Sequence, residues 1–207
     1  MATKIKKSEI SELTECELEI LKSFYPESKD LTLKELQKRT KYSYERINSY
    51  LKSLTNKEAV TEKKVGKTLI YSLDLTNLTS KSAYYIYAIG KAKDFSIKEK
   101  NLFLALSELP EEYVNFCSIF GSYAKGTAKK ESDVDVLIVS EYKEKIEEVI
   151  ASIKRKYGFD IQAIIIPSKE FTKIRLENKE FWNDLVKYGI IFKGYELLYY
   201  YAYGKKE

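Results

Sequence analysis

The chain contains no histidine. That excludes a Ser-His-Asp triad, a His-ligated zinc and an imidazole general base. Two cysteines, Cys16 and Cys117, stand about a hundred residues apart and make neither a disulfide framework nor a metal knuckle. No uncharged apolar run approaches the roughly eighteen residues of a membrane span, and the opening stretch MATKIKKSEISE lacks the apolar centre of a signal peptide. We therefore expect a cytoplasmic protein with no membrane partner. Glycine- or serine-rich linkers, internal repeats and low-complexity segments are also missing, so the parts of the chain should be coupled. Catalysis, if any, must run on carboxylates, lysines, hydroxyls or a metal held by oxygen.

What is present fits a folded protein. The 207 residues are 44% hydrophobic and 32% charged, with a net charge of +5. At roughly 100–200 residues per domain, that length allows one large domain or two small ones.

Residues 1–13 are polar and read as a flexible N-terminus. From Thr14 the pattern is helical, with Leu18, Ile20, Leu21 and Phe24 on one face and Pro26 at the stop. Thr32 and Glu35 have capping-box spacing at the head of a second helix. Ser43 can cap a third, with Ile47, Tyr50, Leu51 and Leu54 on one side. Then VTEKK and TLIYSL form two β-like runs around Gly66. Three helices followed by a hairpin resemble the winged helix-turn-helix family over 14–75. That resemblance implies a third helix entering a DNA major groove.

Charge is consistent with such a placement. Residues 34–67 hold ten basic residues against four acidic, whereas 1–33 hold five against seven. Duplex DNA is thus the expected partner of residues 34–67. Ser43, Tyr44, Arg46 and Asn48 lie at the head of the third helix; Lys63, Lys64 and Lys67 lie on the wing. The same surface also suits protein docking, or simple solvation of lysines. A dimer on palindromic DNA is the expected assembly. Residues 76–109 read as a helical connector. Its Tyr84, Tyr85 and Tyr87 suit either a dimer contact or ordinary packing between the two domains.

The chemical signal lies at 120–136. An apolar, strand-like run, VNFCSIF, leads into Gly121-Ser122-Tyr-Ala-Lys125-Gly. Glycine and serine at a strand-to-helix turn leave backbone N–H groups open to a phosphate. Eleven residues after Ser122 comes Asp133, then Asp135, within Ser132-Asp-Val-Asp-Val-Leu. Side chains at i and i+2 of a strand share a face. Two carboxylates so placed repel unless a cation lies between them, and Mg²⁺ prefers such oxygen ligands. Alone, either element is as ordinary as an exposed strand end or a turn. Together they suggest nucleotidyl transfer.

The run Phe120–Leu137 resembles the signature of the DNA polymerase beta-like nucleotidyltransferase superfamily, and within it the minimal nucleotidyltransferases. The likeness spans about 110–195 and places a nucleotidyltransferase domain over 110–207. Many members carry arginine where this chain has Lys125, which keeps the charge but loses the bidentate fork. The fold class expected is α+β: an N-terminal winged helix-turn-helix, a helical connector, and a C-terminal nucleotidyltransferase fold whose small mixed sheet is flanked by helices.

The resemblance implies specific roles. Asp133 and Asp135 would hold Mg²⁺ or Mn²⁺. Gly121, Ser122, Lys125 and Ser132 would bind the nucleotide, most plausibly ATP. A third acid on a neighbouring strand would serve as second-metal ligand and base, and Asp160, the acid of the FDIQAIII run, is the candidate. Ser168 would cap one helix through 169–188, Gly189 would end it, and a short strand, Ile190–Lys193, would follow. The tyrosine-rich tail would pack on a partner or, by default, back onto the domain. Members of this group often act as antitoxins beside a helical HEPN-type toxin, which they modify with AMP. The competing expectation is a DNA-binding regulator whose transferase fold senses nucleotide or docks a partner.

Overall fold

The computed structural model describes residues 13–204. The expected flexible stretch 1–13 therefore lies outside the described residues, Leu13 excepted. The chain divides into two compact units, Met1–Ala83 and Tyr84–Glu207.

In the first unit, helix α1 (Glu15–Lys22) starts from a capping box between Thr14 and Glu17. A two-residue strand β1 (Leu31–Thr32) runs into α2 (Leu33–Thr40), whose capping box joins Thr32 and Glu35 as the spacing requires. Ser43 caps α3 (Tyr44–Asn56) by accepting the Arg46 N–H. Strands β2 (Val60–Val65) and β3 (Thr68–Leu73) form a hairpin closed by Gly66 and Lys67. Gly66 has φ +62°, the left-handed value that a tight hairpin needs at this place. The antiparallel sheet has the order β1-β3-β2. Ile20, Leu21, Phe24, Leu36, Ile47, Leu51 and Leu54 are its buried core.

One charge is buried in that core. Glu17 is 2% exposed, and its carboxylate accepts from Lys57 Nζ at 2.8 and 2.9 Å and from Ser53 Oγ at 2.7 Å. Burial alone would raise its pKa. Hydrogen bonds from Lys57, Ser53 and Thr14 outweigh burial and hold the group at about 2.

The connector is not a separate layer. Helix α4 (Leu78–Lys98) belongs to the second unit from Tyr84 onward, and α5 (Lys100–Leu106) lies wholly within it. Ala92, Phe95, Leu102, Ala105, Leu106 and Leu109 join the hydrophobic cluster of the sheet. The sequence hides this because the helices precede the strands they cover.

That sheet is mixed, with the order β6-β5-β4-β7. Its strands are β4 (Phe116–Ile119), β5 (Val134–Val139), β6 (Ile161–Ile166) and β7 (Ile190–Lys193). Only β5 and β6 run parallel, as their crossover helix α7 (Lys143–Tyr157) demands. A short helix, α6 (Gly121–Lys125), joins β4 to β5. Cys117, Ile119, Val134, Val136, Ile138 and Ile161 face α4, α5 and α7. Alternation sends Phe116, Ser118, Leu137 and Val139 to the other face. There Phe116 packs on Phe171 at 5.0 Å between ring centroids, and Phe171 on Trp182 at 5.7 Å.

The expected single helix over 169–188 is two: α8 (Ser168–Glu177) and α9 (Lys179–Tyr188). Asn178 breaks the run and caps α9 with its side-chain oxygen. Ser168 is not a cap. It is the first residue of α8, and its N–H donates to Glu141. In the last helix, α10 (Tyr195–Tyr203), Tyr199 and Tyr203 pack against Tyr84 at 5.0 and 5.3 Å. The tyrosines of α4 thus meet the tail of their own unit. Among the described residues, no helix is long and apolar enough to cross a membrane.

Candidate active site and basic surface

The sheet places Asp135 at the head of β5, on the face away from the hydrophobic cluster. Its neighbours Val134 and Val136 are fully buried on the cluster side. Asp133 precedes the strand and is exposed. The two acids are close enough for the charge of Asp133 to act on Asp135. Burial, then the Asp133 charge beside it, raises the Asp135 pKa above the usual carboxylate range. Neither carboxylate has an ion-pair partner among the described residues. Such a pair is a ready oxygen donor set for a hard divalent cation.

The glycine-serine turn faces these acids. β4 ends beside the head of β5, and Phe120 N–H donates to the Asp135 carbonyl at 2.9 Å. Gly121 follows with φ +64°, a conformation that favours glycine. A Cβ on Gly121 would stand 2.1 Å from Asp135 Oδ2. Glycine is thus required twice, for its backbone and for the space its side chain leaves. Ser122, the second residue of α6, is half-buried; its carbonyl accepts from Thr127 N–H at 2.9 Å.

The other expected nucleotide contacts are engaged within the protein. Lys125 pairs with Asp184 of α9 at 2.5 Å, and this hydrogen bond raises the lysine pKa. The Ser132 hydroxyl accepts from Lys129 N–H at 2.9 Å and closes the turn before Asp133.

Asp160 lies at the same end of the sheet. Val134 N–H donates to its carbonyl at 2.7 Å, and extending the β5–β6 register places Asp160 beside Asp133. Gln162, not Asp160, is opposite Asp135. The Asp160 side chain is 68% exposed, pairs with Lys154 at 3.3 Å and accepts from Gln162 Nε2 at 3.3 Å. Among the described residues no group of three or more histidine, cysteine or acidic side chains gathers with metal-ligating geometry. Asp133 and Asp135 are thus brought together, and Asp160 stands aside, turned to Lys154.

Two residues of the site region have no motif to announce them. Asp184 lies about sixty residues beyond Lys125 in sequence. Lys91 of α4 donates to the Lys187 and Gly189 carbonyls at 3.1 and 2.9 Å, closing the C-terminal end of α9. Burial pushes its pKa down to about 8.

In the first unit the expected DNA-facing residues are spread over α3 and the hairpin. Ser43 serves as a cap, Tyr44 is 54% exposed and Asn48 is half-buried. Lys63, Lys64 and Lys67 are exposed, with no ion-pair partner among the described residues. Arg46 is held more tightly than expected. Its Nη2 approaches Cys16 Sγ at 2.9 Å and its guanidinium lies 4.5 Å from the Tyr42 ring centre. A hydrogen bond from Tyr50, with others from Tyr42 and Arg46, lowers the Cys16 thiol pKa against the opposing effect of burial.

Residues 100–193 match the family model described as nucleotidyltransferase domain. The match lies within the second unit and includes α5 as well as the motif segment. No curated protein and no solved structure matches the chain.

Proposed function

We propose that the second unit transfers a nucleoside monophosphate, AMP from ATP foremost, to a hydroxyl of an acceptor. We further propose that the first unit is a winged helix-turn-helix that holds the enzyme on duplex DNA. The observation that carries the first reading is the seating of Asp135 against Gly121. It sets the Asp135 carboxylate against the glycine of the turn that would receive phosphate.

The residues divide the work. Asp133 and Asp135 would hold Mg²⁺ or Mn²⁺, which when bound would neutralise phosphate charge and polarise the α-phosphate. Gly121 and Ser122 offer N–H groups and a hydroxyl to the β- and γ-phosphates. Lys125 reaches the same phosphates by leaving Asp184. Asp160 receives the proton of the acceptor hydroxyl after leaving Lys154, an exposed partner whose attraction is weak. An acceptor O–P bond forms, the bond to pyrophosphate breaks, and pyrophosphate departs. In an antitoxin-like role the acceptor is a helical HEPN-type protein.

For the first unit, the support is the exposure of Lys63, Lys64 and Lys67 on the hairpin and of Tyr44 at the start of α3. Two copies on a palindromic site would read its two halves.

A second reading is favoured by the orientation of Asp160. With that carboxylate on Lys154, the unit would bind nucleotide without transferring it, and the protein would be a nucleotide-sensing DNA regulator.

One experiment separates the two. The full chain is incubated with α-labelled ATP, Mg²⁺ and candidate acceptors, including itself. Label transfer that disappears in Asp133→Asn and Asp135→Asn supports the enzyme. Saturable ATP binding with no transfer to any acceptor supports the sensor.

A further inference from the structure

The core of the second unit is not closed. A cavity of about 560 Å³ opens between α4, α5 and the strands β4 and β7. Ala92, Leu106, Leu109, Val114 and Cys117 of the main hydrophobic cluster line it, and Phe192 adds an aromatic wall. Its size falls in the range of small-molecule sites, roughly 300–1,000 Å³. Cys117 points to the sheet face opposite Asp135, so the cavity is separate from the nucleotide site.

The polar groups around the cavity define its chemistry. Ser96 Oγ donates to the Lys93 carbonyl at 2.7 Å, and Ser107 Oγ to the Phe103 carbonyl at 2.8 Å. Tyr195 OH donates to the Ile191 carbonyl at 2.9 Å, and Lys193 Nζ to the Glu111 carbonyl. Those donors are spoken for. The Lys93 ammonium, in contrast, has no acceptor among the described residues. The Glu111 carboxylate is also unpaired there, but two lysines against one glutamate leave the rim net positive.

We propose that this cavity binds an amphipathic carboxylate: an apolar body against Val114, Cys117 and Phe192, and an acid group on Lys93. An apolar molecule without charge would forgo the free cation, and an amine would meet it in repulsion. A ligand seated there leans on β4, the strand that ends at Gly121. Occupancy therefore bears on the turn that faces Asp135.

The test uses the full chain without nucleotide, so it stands apart from the transferase reading. Dodecanoate and naphthoate are titrated calorimetrically, with dodecylammonium and dodecanol as comparisons. Methyl NMR spectra locate the site. The proposal expects saturable binding of one carboxylate per chain, with shifts at Leu106, Leu109 and Val114. Lys93→Glu should weaken carboxylate binding by about tenfold or more and reverse the preference towards dodecylammonium. Ser96→Trp should fill the cavity and abolish binding while the circular dichroism spectrum is kept. Absence of saturable binding by both carboxylates overturns the proposal, as do shifts confined to other methyl groups. Indifference to Lys93→Glu, an exposed position that leaves the core intact, overturns it even where Ser96→Trp fails to fold.

Discussion

The Asp135 carboxylate occupies the space that a side chain on Gly121 would fill, with only 2.1 Å between Oδ2 and the place of a Cβ. The turn that would hold phosphate and the acid that would hold its cation are thus fitted to each other without an intervening group. Gly121→Ala must both strain the backbone at φ +64° and displace the carboxylate. A displacement of about 1 Å can cost around a hundredfold in rate. We expect at least that loss in label transfer. Gly158→Ala is the control: Gly158 has φ +75° with open space around it at the end of α7, so it shares the backbone strain without touching the site. Equal loss of transfer in both variants would remove the special role of Gly121.

The Lys125–Asp184 pair competes with any phosphate that Lys125 would bind. Asp184→Asn releases the lysine. Exposed pairs of this kind are weak, so the expected gain is modest, about two- to fivefold in ATP affinity. Lys125→Ala should weaken ATP binding in either background. Calorimetry on the two single variants and the double variant tests whether the residues are coupled.

Glu17 gives the first unit a pH dependence with a definite sign. Its pKa falls from an unfolded value near 4.3 to about 2 in the fold. The carboxylate therefore contributes its full stability above the unfolded value. That contribution is lost as pH falls towards about 2, where the folded carboxyl takes a proton. Glu17→Gln should cost about 2 kcal/mol at neutral pH, the scale of hydrogen bonds to a charged group. It should also flatten the acid limb of the stability curve. Urea melts of the full chain between pH 2 and 7, followed by a probe in α1 or α3, measure both.

The lysines of the hairpin make a separate prediction. Each lysine that neutralises a phosphate releases counterions and steepens the fall of log affinity with log salt by about one. Alanine at Lys63, Lys64 and Lys67 together should therefore make that slope shallower by about three for duplex DNA. Nucleotide binding should be unaffected. An unchanged slope would move the DNA-binding surface elsewhere or remove it.

Much of this architecture was legible because local chemistry and fold agree. Thr32 with Glu35 and Ser43 before Tyr44 sit where caps belong, and each helix begins there. Alternation along β5 accounts for the burial of Val134 and Val136 on the face opposite Asp135. Long-range pairings were out of reach. Spacing cannot show that Glu17 meets Lys57 forty residues on, that Arg46 is drawn to Cys16, or that Asp184 takes Lys125. The orientation of Asp160 was equally out of reach. Its place at the head of β6 follows from the strand pattern, yet the direction of its carboxylate depends on Lys154 from the preceding helix. Asn178 broke an expected helix because its side-chain oxygen serves the backbone better as a cap.

Strand β6 lies at the margin of its sheet, and Ile161–Ile166 holds neither a charge nor a proline, with Ile164 45% exposed. Unpaired margins of this composition invite self-association into cross-β stacks. The residues that stand guard are the two bounding it, Asp160 and Pro167. Replacing Asp160 by a neutral residue should therefore lower the soluble yield, whatever it does to turnover.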